Sequence, residues 1–196
     1  AYAYEKFIKE TKIGKIIFEI IKKTIKNHDN PKQYNIASKE IRELIEKTKI
    51  PKEIEFVIKK AYEKLNIQSK AKNSFVAVRS SATAEDLPNA SFAGQQETYL
   101  NVKGYEDLLD KVVKCWSSLF TPRAIFYRNE KGFEHNEVSV SVGVQKMVNS
   151  RAAGVMFSIN PVTGNRNEIV IEGNFGLGET VALGVVNPDY FIIDKQ

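Results

Sequence analysis

The chain has 196 residues, of which 42% are apolar and 27% are charged. That composition can bury a full hydrophobic core, and it differs from that of disordered or fibrous proteins. No apolar run approaches the roughly 18–20 residues that a bilayer-spanning helix needs. The single cysteine, Cys115, excludes a disulfide framework. We therefore expect a cytoplasmic protein that has no membrane partner.

The net charge of +5 comes from the first third of the chain. Residues 1–70 hold 17 lysines and arginines against 10 acidic residues, whereas residues 71–196 hold 12 against 14. Apolar residues recur between these charges at spacings of three, four and seven, which predicts amphipathic helices with solvated basic faces. Nucleic-acid binders usually carry several arginines, and this segment has only Arg42, so we expect no nucleic-acid partner. A non-catalytic module that binds through its basic helices is the alternative.

The predicted elements follow one another as a helical front and then as strands mixed with two helices. Breaks at Asn30-Pro31 and at Lys49-Ile50-Pro51 separate the helices of the front. A helix is expected at 105–120, and Thr121 followed by proline predicts the start of another helix that runs to about residue 130. Strands are expected at 75–78, 138–148, 153–159, 168–172 and 190–193.

This order of elements predicts the α+β class. We expect a helical segment at 1–72 and a mixed strand and helix region at 73–196. The sequence has no internal repeat or low-complexity tract that would indicate a repeat protein or a linker. We therefore interpret the two segments as parts of one incomplete domain, without a separate second domain.

Residues 74–102 join two apolar runs through a long segment that is rich in small, hydroxyl and charged residues. Compact domains rarely keep so long a connection unless it has a function. The first apolar run ends at Arg79, whose guanidinium could bond two phosphate oxygens at once. The small residues of Ser91–Gln95 would leave backbone N–H groups open to phosphate oxygens. The segment predicts a polyphosphate site, and the alternative is an ordinary surface loop in which Arg79 pairs with Glu85 or Asp86.

Several blocks of sequence resemble the nucleotide-binding domain of phosphoenolpyruvate synthases. The first blocks are Val-Arg-Ser-Ser-Ala-Thr-Ala-Glu-Asp-Leu-Pro at 78–88 and Ser-Phe-Ala-Gly-Gln-Gln-Glu-Thr at 91–98, and further blocks lie at 144–148, 153–158, 160–164 and 171–179. Pyruvate phosphate dikinases fit less well, because they have Ser-Gly after the arginine and a Met-Pro-Gly-Met-Met core in the loop. Rifampicin phosphotransferases share nearly the same loop and remain an alternative.

The resemblance implies an ATP-grasp-like fold, in which ATP lies between two α+β subdomains. It implies that the β-phosphoryl group of ATP moves to a histidine on a swivelling domain and then to pyruvate, with release of AMP and phosphate. Arg79 matches the arginine that bonds the ATP phosphates, and we assign it the catalytic role. The cofactor contacts are assigned to the strand end, the phosphate loop, the hinge beside adenine and one carboxylate near the phosphates, namely Ser80, Ser91, Phe92, Ala93, Gly94, Gln95, Gln145, Lys146, Met147, Val148 and Glu172.

Parts of the family pattern are absent from the sequence. They are the Gly-Gly-Lys-Gly segment whose lysine contacts phosphate, the acidic pair on a strand, and the Thr-Ser-His motif of the swivelling domain. We therefore expect an internal piece of a larger enzyme, truncated at both ends and inactive alone. ATP and Mg²⁺ are the expected cofactors, but most Mg²⁺ ligands would lie outside this chain, which would hold no complete metal site. Pyruvate would be reached only through the missing domains.

Overall fold

The computed structural model describes residues 1–82, 86–87, 90–91, 97–135 and 138–196. In chain order the elements are helices α1 (Tyr2–Thr11), α2 (Ile13–Thr24), α3 (Pro31–Lys47) and α4 (Lys52–Gln68), strands β1 (Phe75–Ala82), β2 (Asp86–Leu87), β3 (Ala90–Ser91) and β4 (Thr98–Lys103), helix α5 (Tyr105–Ser117), a 3₁₀ turn (Ser118–Phe120), helix α6 (Pro122–Lys131), strands β5 (Val140–Lys146), β6 (Ala152–Phe157) and β7 (Glu168–Phe175), helix α7 (Glu179–Ala182) and strand β8 (Asp189–Asp194). The predicted α+β class is confirmed.

The chain forms two compact units, Ala1–Met147 and Val148–Gln196. The first unit contains α1 to α6, an antiparallel sheet in the order β4-β1-β5 and the short β2-β3 ladder. The second contains α7 and an antiparallel sheet in the order β6-β7-β8. The division into a segment at 1–72 and a region at 73–196 stays a prediction. No helix in the described ranges is long and apolar enough to cross a membrane.

The core of the first unit lies between its helices and one face of its sheet. Trp116 of α5 is 1% exposed and stacks on Phe7 of α1, with ring centroids 4.9 Å apart. Val76 and Val78 of β1 are fully buried on the same side. Because alternate residues of a strand point to opposite faces, Ala77 and its odd-numbered neighbours point away from this core. One face of the sheet is therefore covered by helices, and we call the other the open face.

Polar side chains cap the first turns of α3 and α6, and the sequence predicts the second of these caps. The side chain of Asn30 accepts a hydrogen bond from Lys32 N (3.1 Å), with Pro31 as the first residue of α3. The hydroxyl of Thr121 accepts from Ala124 N (3.2 Å) at the start of α6. Both side chains satisfy an N–H group that the first helical turn leaves without a backbone partner.

Two strands are longer than the sequence predicts. β1 continues past Val78 to Ala82 because β5 pairs with it along its whole second half, so Arg79 lies inside the strand and not at its end. β7 continues past Glu172 to Phe175, so Gly173 belongs to the strand. The polar and small residues in these extensions have low strand propensity, and cross-strand pairing overrides it.

Candidate nucleotide-binding site

Arg79 lies on the open face in the middle of the sheet. Its register partners are Thr98 on β4 and Gly143 on β5, so its backbone is fixed on both sides. The side chain is exposed, and none of the carboxylates whose side chains the structure describes forms an ion pair with it. The competing pairing with Glu85 or Asp86 involves side chains outside the described residues. Arg79 thus offers a fixed position and a solvent-facing guanidinium, which suits an anionic ligand.

Gln145 lies on the same face as Arg79. It pairs with Ala77, two residues before Arg79 on β1, which corresponds to about 7 Å along a strand. The side chains between and beside them are small, since Gly143 has no atom closer than 3.9 Å to the place where a Cβ would stand. A ligand could therefore approach the backbone of β5 at Gly143, beside Arg79.

Met147 closes this face at the opposite end from Arg79. Its N–H group donates to Phe75 O (2.9 Å), which extends the ladder one residue beyond β5. Its thioether Sδ accepts from Asn101 N (3.0 Å) on β4, so the side chain crosses β1, the central strand of the sheet. Ala77, directly below this crossing, is only 3% exposed. Met147 provides a polarizable apolar surface of the kind that a planar base packs on.

Lys146 presents its backbone at the free edge of the described sheet. Met147 N bonds to β1, and in an antiparallel ladder neighbouring residues direct their N–H and C=O groups to opposite sides. The N–H and C=O groups of Lys146 therefore point away from β1, toward the side of β5 that carries no further strand in the described sheet. A donor and an acceptor side by side match the hydrogen-bonding edge of adenine.

Ser80 lies on the helix-covered face, away from Arg79. Its Oγ donates to the backbone carbonyl of Glu97 (3.1 Å), so its described contact is with the protein. Ser91 belongs to β3 and pairs with Asp86, and its side chain lies outside the described residues. Phe92, Ala93, Gly94 and Gln95 also lie outside them. Their assignment to the phosphate loop stays a prediction.

The remaining two predicted residues belong to the second unit. Val148 is 77% exposed at its start. Glu172 lies in the central strand β7, half-buried, with Val155 and Tyr190 as its register partners on the two neighbouring strands. A carboxylate between Val155 and Tyr190 on a sheet face is available to a cation. Within the described ranges no three His, Cys, Asp or Glu side chains form a metal-binding group.

Cys115 is buried, as the sequence predicts. Its Sγ faces the carbonyl oxygens of Val78 (3.9 Å) and Glu97 (3.7 Å). Burial, together with the charge of Glu97, raises the pKa of the Cys115 thiol to about 12. A thiol that stays protonated is neither a nucleophile nor a metal ligand, which agrees with the inert role expected for it.

Sequence reasoning missed an ion-pair cluster beside Ser80. Arg42 on α3 binds Glu97, the residue that precedes β4, and Tyr99 on β4 binds the other carboxylate oxygen. No local pattern links residues 55 positions apart. The available signal was that Glu97 directly follows the predicted phosphate loop and that Arg42 is the single arginine of the basic front.

A family model described as the pyruvate phosphate dikinase AMP/ATP-binding domain matches residues 1–196. The chain belongs to this family. It is 56% identical over 179 residues to a probable phosphoenolpyruvate synthase of Pyrococcus horikoshii, a match that covers 91% of the chain and 22% of that relative. The phosphoenolpyruvate synthase of Pyrococcus furiosus is 54% identical over 179 residues, with the same two coverages. A probable phosphoenolpyruvate synthase of Methanocaldococcus jannaschii is 52% identical over 196 residues, or 100% of the chain and 16% of the relative.

These matches confirm the family that the motifs around Arg79 predict. As a member of an AMP/ATP-binding domain family, the chain is a nucleotide-binding region, and ATP is its ligand. The chain spans between 16% and 22% of the length of these three relatives. The matches extend through both units, because the family model covers residues on either side of Met147.

Proposed function

We propose that the chain is the ATP-binding region of a phosphoenolpyruvate synthase-like phosphotransferase. The reaction of the whole enzyme converts ATP, pyruvate and water into AMP, phosphoenolpyruvate and phosphate. The names of the relatives support this reaction, and the open face of the first unit supports the part that this chain plays in it. The observation that carries the proposal is the position of Arg79, solvent-facing and without a described acidic partner, on the same face as Gln145 and Met147.

The geometry suggests how ATP would lie on the open face. Arg79 would bond the phosphates as a planar fork, and adenine would pack near Met147 while it bonds the backbone edge at Lys146. The distance along β1 from Arg79 to Phe75, which lies opposite Met147, is four residues, or about 13 Å. That span separates the base from the phosphates of an extended nucleotide. An ATP-grasp-like arrangement is part of the proposal.

Mg²⁺ is the metal that this reaction class uses. It prefers octahedral oxygen ligation by one or two carboxylates, phosphate oxygens and waters, and when bound it neutralises charge that develops on the transferred phosphoryl group. Glu172, half-buried on the central strand of its own sheet, stays the carboxylate that the sequence predicts for this role. The other ligands of the metal would come from outside this chain.

The chain's own contribution is to bind and orient the phosphates. The phosphoryl group would pass to a histidine on a swivelling domain of the longer enzyme and from there to pyruvate in a further domain. We propose that this takes place in the cytoplasm. The chemistry in this chain is therefore positional and electrostatic, as expected for phosphoryl transfer.

Replacing Arg79 by alanine in the full-length phosphotransferase tests the proposal. ATP-dependent AMP formation should fall by about 100-fold or more, since an aligned charged donor to a phosphate is lost. The melting temperature should hardly change, because the side chain is exposed and unpaired among the described residues. Arg123→Ala is the matched control, since Arg123 is an exposed arginine on α6, and it should keep full activity.

Two results would count against the proposal. Unaltered AMP formation in Arg79→Ala would remove Arg79 from the phosphate site. AMP formation that depends on an acceptor other than pyruvate, for example rifampicin, would keep the ATP site and change the proposed reaction. Parallel assays with pyruvate and rifampicin therefore distinguish the two enzyme classes that share this loop.

A further inference from the structure

Glu97 lies where β4 meets the segment predicted to hold the phosphates of ATP. In sequence it follows residues 92–96, and it precedes Thr98, the register partner of Arg79. Its backbone carbonyl accepts a hydrogen bond from Ser80 Oγ (3.1 Å) on β1. Glu97 is thus held to β1 next to Arg79, at the point where the predicted phosphate loop rejoins the sheet.

Both carboxylate oxygens of Glu97 have donors. Arg42 donates from Nη2 to Oε1 (2.7 Å), and the hydroxyl of Tyr99 donates to Oε2. The side chains of Arg42 and Glu97 are 28% and 31% exposed, so this ion pair is less screened by solvent than a surface pair. The carboxylate is therefore fixed from two directions and its charge is compensated.

Arg42 is itself held by a second acid. Its Nε lies 3.7 Å from Glu46 Oε1 on the next turn of α3, and that oxygen accepts from Ser117 Oγ (2.7 Å) at the end of α5. The guanidinium therefore connects α3 with the start of β4, and Glu46 connects α3 with α5. Because α3 and α5 are packed in the core, the position of Arg42 is fixed, and Arg42 in turn fixes the backbone of Glu97.

The cluster acts from the opposite side of the sheet to the ligand. Ser80, Glu97 and Tyr99 point to the helix-covered face, whereas Arg79 points to the open face. The cluster can therefore influence a nucleotide on the open face only through the backbone at Glu97 and through its charge. Without Arg42, an uncompensated carboxylate would remain close to the phosphates and repel them.

We propose that Glu97, clamped by Arg42 and Tyr99, is a positioning residue that fixes the phosphate end of the ATP site from the far side of the sheet. The inference rests on the proposed function, since it concerns the same nucleotide site. It assigns a role to the single arginine of the basic front, which the family motifs do not include.

The test compares a nucleotide that has phosphates with one that lacks them. Dissociation constants for ATP and for adenosine are measured by calorimetry in the full-length protein and its variants. Arg42→Gln should weaken ATP binding about ten-fold or more and leave adenosine binding unchanged. Tyr99→Phe should act in the same direction with a smaller effect, because it removes one donor and keeps the ring.

The double variant Arg42→Gln with Glu97→Gln should recover much of the ATP affinity, since no unpaired charge remains and the two amides can still hydrogen bond. Lys47→Gln is the matched control, because Lys47 forms an exposed ion pair with Glu43 on the same helix at 2.9 Å. It should bind both ligands like the wild type. A purely structural role for Arg42 would weaken ATP and adenosine equally.

Equal losses for ATP and adenosine in Arg42→Gln would overturn the inference, and so would unchanged affinity for both. The proposed function would survive either result as long as the wild type binds ATP. If Arg42→Gln lowers the melting temperature, Tyr99→Phe decides by the same ratio of ATP to adenosine affinity. A wild-type protein that binds no ATP would remove both proposals together.

Discussion

Acid should destabilise the first unit through His135. Arg128 Nε donates to His135 Nδ1 (2.9 Å), so the ring proton is on Nε2, which bonds Asn129 Oδ1 (2.9 Å). Arg128 is 1% exposed, and its Nη2 also donates to Leu119 O (2.6 Å). A proton on His135 Nδ1 would face this buried guanidinium. Burial and the charge of Arg128 lower the pKa of His135 to about 4.

The size of this loss of stability follows from the linkage between protonation and folding. The unfolded chain binds the proton with a pKa of about 6.5 and the folded chain with a pKa of about 4, so the unfolded state holds more protons between these values. Stability should therefore be complete above about pH 6.5 and fall as the pH drops toward 4. The full difference corresponds to about 3 kcal/mol, and we expect about 2 kcal/mol because His135 is only partly buried.

The assay is denaturant unfolding of the 196-residue chain at several pH values between 7.5 and 4.5. His135→Gln removes the titrating ring, so its stability should fall less steeply with acid than that of the wild type. If the unfolding free energies of the wild type and His135→Gln fall in parallel with pH, then Arg128 does not lower the pKa of His135 in the folded protein.

Three further substitutions or reactions test the packing. Gly154→Ala would put a Cβ 2.2 Å from Glu172 O, so we expect a loss of about 2 kcal/mol or more in unfolding free energy, whereas Gly143→Ala, with 3.9 Å of space, should have little effect. Equal unfolding free energies for these two variants would contradict the close approach of β6 and β7. Thr121→Ala should cost about 1 kcal/mol through the lost helix cap, measured by the same unfolding, and a Thr121→Ser control should retain most of it. Cys115 should react with a thiol reagent at pH 8 only after denaturation, since its pKa is about 12, and rapid labelling of the native chain would contradict this.

Local chemistry allowed the helices to be predicted from the sequence. Asn30-Pro31 and Thr121-Pro122 start helices because the capping oxygen and the proline act within a few residues. The predicted lengths of β1 and β7 were too short, because pairing partners far along the chain hold the polar extensions of these strands. Propensity contains no information about such partners.

The candidate site depends on residue chemistry, which the sequence shows, and on strand register, which it does not. The chemistry of Arg79 predicts that it binds phosphate, but only the register of β1 with β5 puts it on the same face as Gln145. The contact of Met147 with Asn101 depends on a left-handed residue, since Asn101 has φ 58°, and on crossing a strand. The pair of Arg42 and Glu97 depends on the packing of α3 against α5, and no pattern in the sequence predicts it.

The most direct measurement uses the two methionines of the chain, Met147 and Met156. Their methyl carbons can be labelled with ¹³C and followed by NMR while ATP and Mg²⁺ are added, with Met147→Leu to assign the signals. ATP should shift the Met147 methyl signal, and Arg79→Ala should need about ten-fold more ATP for the same shift. A Met147 signal that saturating ATP leaves in place, or that moves equally in Arg79→Ala, would contradict a nucleotide site on the open face of the β4-β1-β5 sheet.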